Sequence, residues 1–595
     1  MSQNENEQLS AIRHSLAHLL AATVVQMYPG AKNAIGPAVE NGFYQDFELP
    51  SPVAEGDLPK IEAAMREKLK TWKSFERREV NKDEALRQFE WNPYKQELIN
   101  EFSKGGKQLT FYVSGDFVDL CKGGHAENMS LINPDAFKLS HTAGAYWRGD
   151  SKNKMLTRIY GLAFESKTDL VEYLANQEEA KKRDHRKLGE DLKLFFISDS
   201  VGAGLPLLMP RGETIKNELM KYMRAKEESR GYQFVATPVL TQSKLYERSG
   251  HADYYLENMY ATKPDEEGNM FYLKPMNCPH HHMIYEKLVE SYRDLPLKLS
   301  EYAGLYRYEL SGTLTGLIRM RGPITQNDSH IYVTPDQVEQ EFSDVLNLFE
   351  EVYSETGIKD YWFRLSLPDF SKDKYAGNRE QWEWAGNIIR GCLKKAEAKF
   401  VEELDEAAFY GPKVDVQIKN VHGKEDSIAT VQLDILVPGR MGLKFIDSEG
   451  KEKTPLVIHK SIMGAFERFM AFQLEQTEGR LPLWLSPEQI RIITVNQEPE
   501  TIEFAKNMSH KARELNLRIK VDNQNESVGK KIRNAELMKV PYIVVIGEKE
   551  IESGKVVARI RGDLDVNTNH EPVDIDRFLE TIANLSKSHA TKTTL

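Results

Sequence analysis

Between Thr168 and Phe195 the chain runs TDLVEYLANQEEAKKRDHRKLGEDLKLF. The stretch is dense in charge and has too few apolar positions to bury a stripe of a helix. It cannot build a core of its own, so residues 166–195 read as one connecting helix with separate bodies on either side. Before it, residues 1–165 mix helices and strands. Ser10 is expected to open a helix through HSLAHLLAATVVQM, ended by Pro29-Gly30, and LTFYVSGDFVDL and MLTRIYGLAF read as strands. After it, residues 196–484 are longer and more β-rich, with alternation at Lys413–Lys419 and again over 429–437. The two prolines of LPLWLSP, 481–487, mark a second boundary. From 485 to 595 strand and helix patterns alternate: RIITVN, ETIEFAKNMSHKARELN, RIKVDN, VGKKIRNAELMK, YIVVIG. That order predicts a small α/β domain with a mixed or parallel sheet. The 595 residues thus divide into a multidomain chain, α+β at the front and α/β at the end, and no repeat with a period of about 20–50 residues suggests a solenoid.

Composition excludes several classes. No uncharged apolar run approaches the length of a membrane span, and the mean hydropathy is -0.53. MSQNENEQLS is acidic and polar, unlike a secretory leader. Three cysteines in 595 residues cannot form a disulfide framework, which makes the cytoplasm the default compartment. The formal net charge of -11 argues, taken alone, against a nucleic-acid partner.

Two groups of Cys and His stand out. His14 and His18 lie four apart on an expected helix and face one side of it. Cys121 and His125 follow in DLCKGGH, a Gly-rich turn after a strand, and Asp119 two residues earlier points to the same side as Cys121. Together they suit either a zinc site or a hydrolytic pocket in which histidine moves a proton near neutral pH; packing is the plain alternative. The second group is Cys278 in KPMNCPHHH, His330 in TQNDSHIY and His459 in PLVIHKS. One thiolate and two imidazoles would leave a zinc ion one open position. Cys392, in EWAGNIIRGCLKKAEA, has no His near it and reads as a buried structural thiol.

Arg307-Tyr308-Glu309 in LYRYELSG, Gly464 to Arg468 in MGAFERFM and Pro238 in FVATPVL resemble, in order and spacing, the three signature motifs of class II aminoacyl-tRNA synthetases. The stretches HSLAHLL, AIGPAVENGFY, CKGGH, HTAGAYWRGDSKNKML, RDHRKLGEDL, LKPMNCP, FYGPKVDV, TVQLD and ESGKVVARIR extend that resemblance, over nearly the whole chain, to the threonyl-tRNA synthetase family. The resemblance implies an N-terminal α+β editing domain (1–165), a connecting helix (166–195), a class II antiparallel-sheet catalytic core (196–484) and an α/β anticodon-binding domain (485–595). Only about ten residues precede the HSLAHLL helix, so the family's extra small N-terminal domain is expected to be missing.

What the resemblance implies chemically is specific. Arg307 meets the α-phosphate of ATP and Arg468 the far end of the nucleotide; guanidinium suits both because it stays charged and offers forked donors. Glu309 accepts the adenine amino group, and Lys413 meets negative charge on the adenylate. Met276, Gln326, Asp328, Tyr410, Thr430, Gln432 and Arg319 line the pocket for threonine and adenylate, with Mg2+ accompanying ATP. Cys278, His330 and His459 hold zinc, whose ligation by a substrate hydroxyl rejects valine. Serine lacks only a methyl, worth about 1–3 kcal/mol, so a second site must remove it. His14, His18, Cys121 and His125, helped by Asp119, match that editing pocket, where no metal is expected to be required. Lys530, Lys531 and Arg533 could meet phosphates, and Glu552 and Arg561 match positions that read anticodon bases. The implied partners are tRNA(Thr), ATP and L-threonine, in a homodimer without a membrane. The charge of -11 then means that RNA binds local basic patches.

The chain also departs from the family pattern. Pro323-Ile324 replaces an adenine-stacking phenylalanine, His280 replaces a glycine after Cys278-Pro279, Ser427 a glutamine, and Gln45 a tyrosine of the editing segment. Two alternatives follow: a synthetase-derived RNA-binding regulator, disfavoured because both motif arginines and all three zinc-type ligands are present, and a ligase of the same class for another amino acid such as proline or serine, which would not need the Cys/His/His trio and would leave the editing group hard to explain.

Overall fold

Asp184 breaks the charged segment in two. In a computed structural model, which describes residues 3–104, 108–150, 152–372, 374–375, 378–565 and 570–593, the expected single helix is a pair, Lys167–Arg183 and His185–Asp191. The Asp184 carboxylate accepts from the backbone N–H of Arg186 at 2.8 Å, capping a new helix where the old one would have continued. The chain divides into two compact units, Met1–Glu178 and Glu179–Leu595, with the boundary inside Lys167–Arg183.

The first unit is α+β. Its long helix, Gln3–Met27, starts well before Ser10, because the polar residues ahead of Ser10 include no Gly or Pro to stop it. Leu16 and Leu20 of this helix pack with Phe43, Phe47 and Ile159 from the strands Gly42–Glu48 and Met155–Ala163. A separate sheet of three antiparallel strands, Glu76–Val80, Leu109–Ser114 and Phe117–Leu120, ends just before Cys121.

The second unit is organised by an eight-stranded sheet. Its middle is antiparallel throughout: Leu297–Leu305, Ile324–Val333, Leu456–Ser461, Glu425–Asp434, Lys413–Lys419 and Trp362–Leu367 pair in that order. Parallel strands, Gln233–Phe234 and Phe400–Leu404, finish the two edges. Helices cover one face. In Val338–Thr356, the residues Val338, Phe342, Val345, Phe349 and Val352 form the buried stripe, and Gly357 ends the helix at φ 79°. Cys392 is buried in the helix Arg379–Lys395, as a structural thiol should be.

One carboxylate holds three strands of this sheet. Glu227, fully buried near the end of the helix Pro210–Glu228, accepts from Ser300 Oγ at 2.8 Å and Tyr302 OH at 2.7 Å. It also accepts from Asn327 Nδ2 at 3.0 Å and from Lys460 Nζ at 2.5 Å. Ser300, Ser329 and Lys460 are direct cross-strand partners. The Lys460 ammonium is as buried as its partner, so neither charge has water to fall back on.

The C-terminal part places Ile519–Asp522, Ile490–Thr494 and Tyr542–Ile546 in parallel, with Ala558–Ile560 antiparallel at the edge. That is the expected α/β alternation. Arg211 pairs with Glu488 at 3.0 Å and Arg518 with Glu218 at 3.1 Å, tying this sheet to the helix Pro210–Glu228. Among the described residues no helix is long and apolar enough to cross a membrane.

Replacing Glu227 by Ala should lower stability by about 3–5 kcal/mol, because Lys460 is left charged and buried without a partner. The shift of the urea midpoint measures this. Glu227→Leu combined with Lys460→Met should recover most of the loss; a single variant with an unchanged midpoint would remove the clamp from the argument.

Candidate active sites

Strand alternation aims one set of side chains at a pocket of about 650 Å3. A single cross-strand row runs Leu299, His330, His459, Gln432, Lys413 across five strands. Cys278, at the start of the helix Cys278–Leu288, completes the trio, and the ligand-type atoms of Cys278, His330 and His459 lie within 4.8 Å of one another. All three are buried. Met276, Arg307, Glu309, Arg319, Gln326, Asp328, Tyr410, Lys413, Thr430 and Gln432 line the same pocket. The structure therefore brings together the residues expected there from the sequence except Arg468, which lines an adjoining cavity.

A second layer of side chains holds the first. His330 Nδ1 is 2.7 Å from His281 Nδ1, and His281 Nε2 is 3.3 Å from Glu301 Oε2. Glu301 also receives Lys274 Nζ at 3.3 Å and the backbone N–H of Thr237 at 2.6 Å. Burial raises the Glu301 carboxyl, but His281 and Lys274 outweigh it and bring it to about 2. His459 Nε2 lies 3.1 Å from Asp434 Oδ2. Burial drives His330 well below the ordinary imidazole range, so its ring is neutral and keeps a lone pair. His280 turns away from the trio, its Nε2 2.6 Å from Thr241 Oγ1, and so offers no competing ligand. His251 has no motif to mark it, yet its Nε2 is 3.6 Å from Cys278 Sγ; burial, then the nearby His459 and Arg440, pull it to about 3.

The pocket continues into a cavity of about 350 Å3 lined by Ile318, Met320, Ile324, Ser427 and Arg468 as well as Arg307 and Glu309. Arg468 donates from Nε to Ile318 O at 2.8 Å and from Nη1 to Ser427 O at 3.2 Å. Burial first, and the Arg307 charge second, lower its guanidinium to about 10. Its helix, Phe466–Thr477, follows a turn that only glycine fits: Gly464 has φ 58°, and a Cβ there would lie 2.2 Å from Ile428 O. Arg319 donates to Glu309 at 2.9 Å, and Lys413 pairs with Asp415 at 2.9 Å. Tyr410 OH donates to Gln432, whose amide donates to Thr430 Oγ1 at 3.2 Å.

In the first unit the other four residues also meet. His14 Nε2 is 3.1 Å from Cys121 Sγ, His14 stacks on His125 at a centroid distance of 4.6 Å, and the ligand-type atoms of all four lie within 4.8 Å. His18 Nδ1 is 3.0 Å from Asp119 Oδ2. Lys95, which no sequence motif marks, reaches Asp119 Oδ1 at 2.6 Å from the helix Pro93–Lys104, and Asn33 donates to Oδ2 at 3.2 Å. Burial would raise the Asp119 carboxyl, but Lys95 and His18 hold it well below the carboxylate range. Burial likewise pulls His18 down, and the bonds to Asp119 and Cys121 reverse that, leaving it at about 9. Burial raises the Cys121 thiol, and the adjacent His125, His14 and His18 rings overcome this, bringing it to about 3. The result is a half-buried thiolate among imidazoles.

In the C-terminal part Arg561 makes four hydrogen bonds inside the fold, two to Asp563 and one each to Lys539 O and Leu481 O. One expectation needs correction. Lys531 is buried and donates to Thr494 O at 3.0 Å, which removes it from any phosphate surface. Lys530 is exposed but pairs with Glu526 at 2.5 Å, and Glu552 is exposed.

Residues 255–477 match the model of the tRNA synthetase class II core domain (G, H, P, S and T). Residues 489–585 match the anticodon binding domain, and 109–160 the threonyl and alanyl tRNA synthetase second additional domain. A threonine–tRNA ligase of Anoxybacillus flavithermus is 43% identical over 586 residues, covering 98% of this chain and 90% of the relative. The chain belongs to the threonine–tRNA ligase family. A threonine–tRNA ligase of Geobacillus kaustophilus is also 43% identical, over 98% of this chain and 88% of the relative. The crystal structure of the RNA binding domain of threonyl-tRNA synthetase from Cryptosporidium parvum superposes with TM-score 0.63 at 32% identity, over 69% of this chain and 99% of that one. A prolyl-tRNA synthetase of the same organism, 16% identical over 68% of this chain and 75% of its own, shares the fold at TM-score 0.52.

The raised His18 gives a pH signature. Its contribution to stability is complete below its unfolded value near 6.5 and is lost as the pH rises through about 9. Thermal melting of the first unit within the whole chain should fall over that window, and His18→Gln should flatten the dependence. An equally steep fall in the variant would mean another group carries it.

Proposed function

We propose that this family member activates L-threonine with ATP, transfers it to tRNA(Thr), and hydrolyses seryl-tRNA(Thr) in its first unit. The observation that carries the reading is one pocket in which three buried metal-type donors face the same space as Arg307, Glu309 and Lys413. Activation joins the threonine carboxylate to the α-phosphate and releases pyrophosphate. Arg307 meets the α-phosphate, Lys413 the phosphate charge of the adenylate, and Glu309 the adenine amino group; Arg468 closes the nucleotide end, where Ile324 supplies apolar contact without aromatic stacking. Mg2+ accompanies the ATP.

Cys278, His330 and His459 fit zinc: a thiol and two imidazoles, buried, with one nitrogen of each ring fixed by His281 or Asp434 and the other left for a metal. Zinc bound there would ligate the amino group and hydroxyl of threonine, which valine cannot match. Serine can, and hydrolysis removes it. In that step water attacks the ester carbonyl and the ribose oxygen leaves with a proton. Burial keeps His125 below its ordinary value, hence neutral and able to take a proton from water. The paired His18 and Cys121 fix the surrounding charges, and no metal is invoked. Glu552 is proposed to contact the anticodon, and the reading places the protein in the cytoplasm as a homodimer.

ATP–pyrophosphate exchange across the amino acids tests the first claim: only threonine, and weakly serine, should support it, and silence with threonine would overturn it. Cys278→Ser should reduce bound zinc from about one per chain to a small fraction, measured by metal analysis. His14→Ala with His18→Ala should slow seryl-tRNA hydrolysis by about 100-fold or more, while threonine exchange stays unchanged; undiminished hydrolysis would remove the editing assignment.

A further inference from the structure

The motif DHRKLGED contributes nothing to either pocket, yet His185 within it is 1% exposed and touches the catalytic apparatus at two points. Its Nδ1 lies 2.7 Å from Glu475 Oε1, on the helix that carries Arg468 near its start. Its Nε2 accepts the backbone N–H of Leu317 at 3.2 Å. Leu317 lies in the loop between Arg307 and Arg319, next to Ile318, whose carbonyl receives Arg468 Nε at 2.8 Å. Gly316 has φ 49°, and a Cβ there would fall 2.2 Å from His185 Nε2, so the loop rests directly on the imidazole. Asp184, His185 and Glu475 have donor atoms close enough for a metal, but both His185 nitrogens are already used and Asp184 holds Arg186 at 2.9 Å and caps a helix. The cluster is a hydrogen-bonded joint.

We infer that His185 is a positioning residue for ATP. Nδ1 donates to Glu475 and Nε2 accepts from Leu317, and the ring thereby sets the loop's height over the nucleotide cavity. Leu317 N–H and Ile318 O are held by His185 and Arg468 respectively, and Arg319 with its partner Glu309 follows immediately. This inference rests on the nucleotide assignment proposed above.

The two ring nitrogens can be separated by substitution. His185→Gln keeps an acceptor where Nε2 was and loses the bond to Glu475; His185→Asn keeps the donor to Glu475 and loses the loop. ATP affinity, read by equilibrium dialysis of the full chain, should weaken about tenfold in His185→Asn, the loss of one buried hydrogen bond, and less than about threefold in His185→Gln. In threonine-dependent exchange the change should appear in the KM for ATP and not in that for threonine. Equal affinity in both variants, or equal weakening in both together with equal loss of thermal stability, would overturn the inference by making His185 a packing residue. If the unsubstituted chain binds ATP but shows no threonine-dependent exchange, the proposed activity fails while the affinity difference still decides the role of His185. If the unsubstituted chain does not bind ATP, both fail.

Discussion

The active pocket depends on the register of three strands, and that register is held from the far side of the sheet by Glu227. Side chains alternate across a sheet, so a slip of one residue along Ile324–Val333 would send Gln326, Asp328 and His330 to the buried face and Asn327 and Ser329 to the pocket. Hydrophobic pattern alone does not prevent this, because both sets are polar. A single carboxylate that accepts from Ser300, Asn327 and Lys460 can be satisfied in only one register. With Ser329 set opposite Lys460, His330 comes to face His459, and the pocket row follows to Gln432 and Lys413. A buried ion pair is an uncertain contributor to net stability. Here its effect is selective: it penalises every misaligned pairing that leaves Lys460 buried and alone.

This explains what could and could not be read from the residues in order. The pocket's own side chains announce themselves, since Cys278, His330, His459, Arg307 and Arg468 are uncommon in such surroundings without a task. Their supports do not. His281, Glu301 and Lys274 look like ordinary members of a helix, a strand and a loop until the sheet sets them behind His330, and Lys95 becomes visible only when its helix delivers it to Asp119. The connecting segment was legible as charged and not as broken, because the stop at Asp184 comes from a side-chain cap and not from Gly or Pro.

Basic residues were the least legible. A lysine or arginine in a sequence carries no sign of whether its donors are already in use. Lys531 and Arg561 sit in segments that invite an RNA reading, but one donates to Thr494 O and the other to Asp563, Lys539 O and Leu481 O. The same difficulty makes the overall charge of -11 a poor guide in the other direction. What decides binding is the set of charges left without an internal partner, and counting cannot reveal that set.

The two Cys/His groups show how far environment overrides residue type. Both contain a cysteine and at least two histidines within 4.8 Å. Around Cys278 burial dominates, the thiol is pushed well above its ordinary value, and His330 is kept neutral. Around Cys121 a chain of charges, Lys95 to Asp119 to His18, reaches the sulfur and reverses the effect of burial, leaving a thiolate beside a protonated imidazole. A thiol raised by burial, as Cys278 is, ionises readily only beside a cation. A cluster that already contains its own compensated charges has less such need, and burial holds His125 below its ordinary value. Around Cys121 the carboxylate of Asp119 is tied to both Lys95 and His18, whereas around Cys278 Lys274 and Glu301 reach His330 only through His281, and Asp434 meets His459.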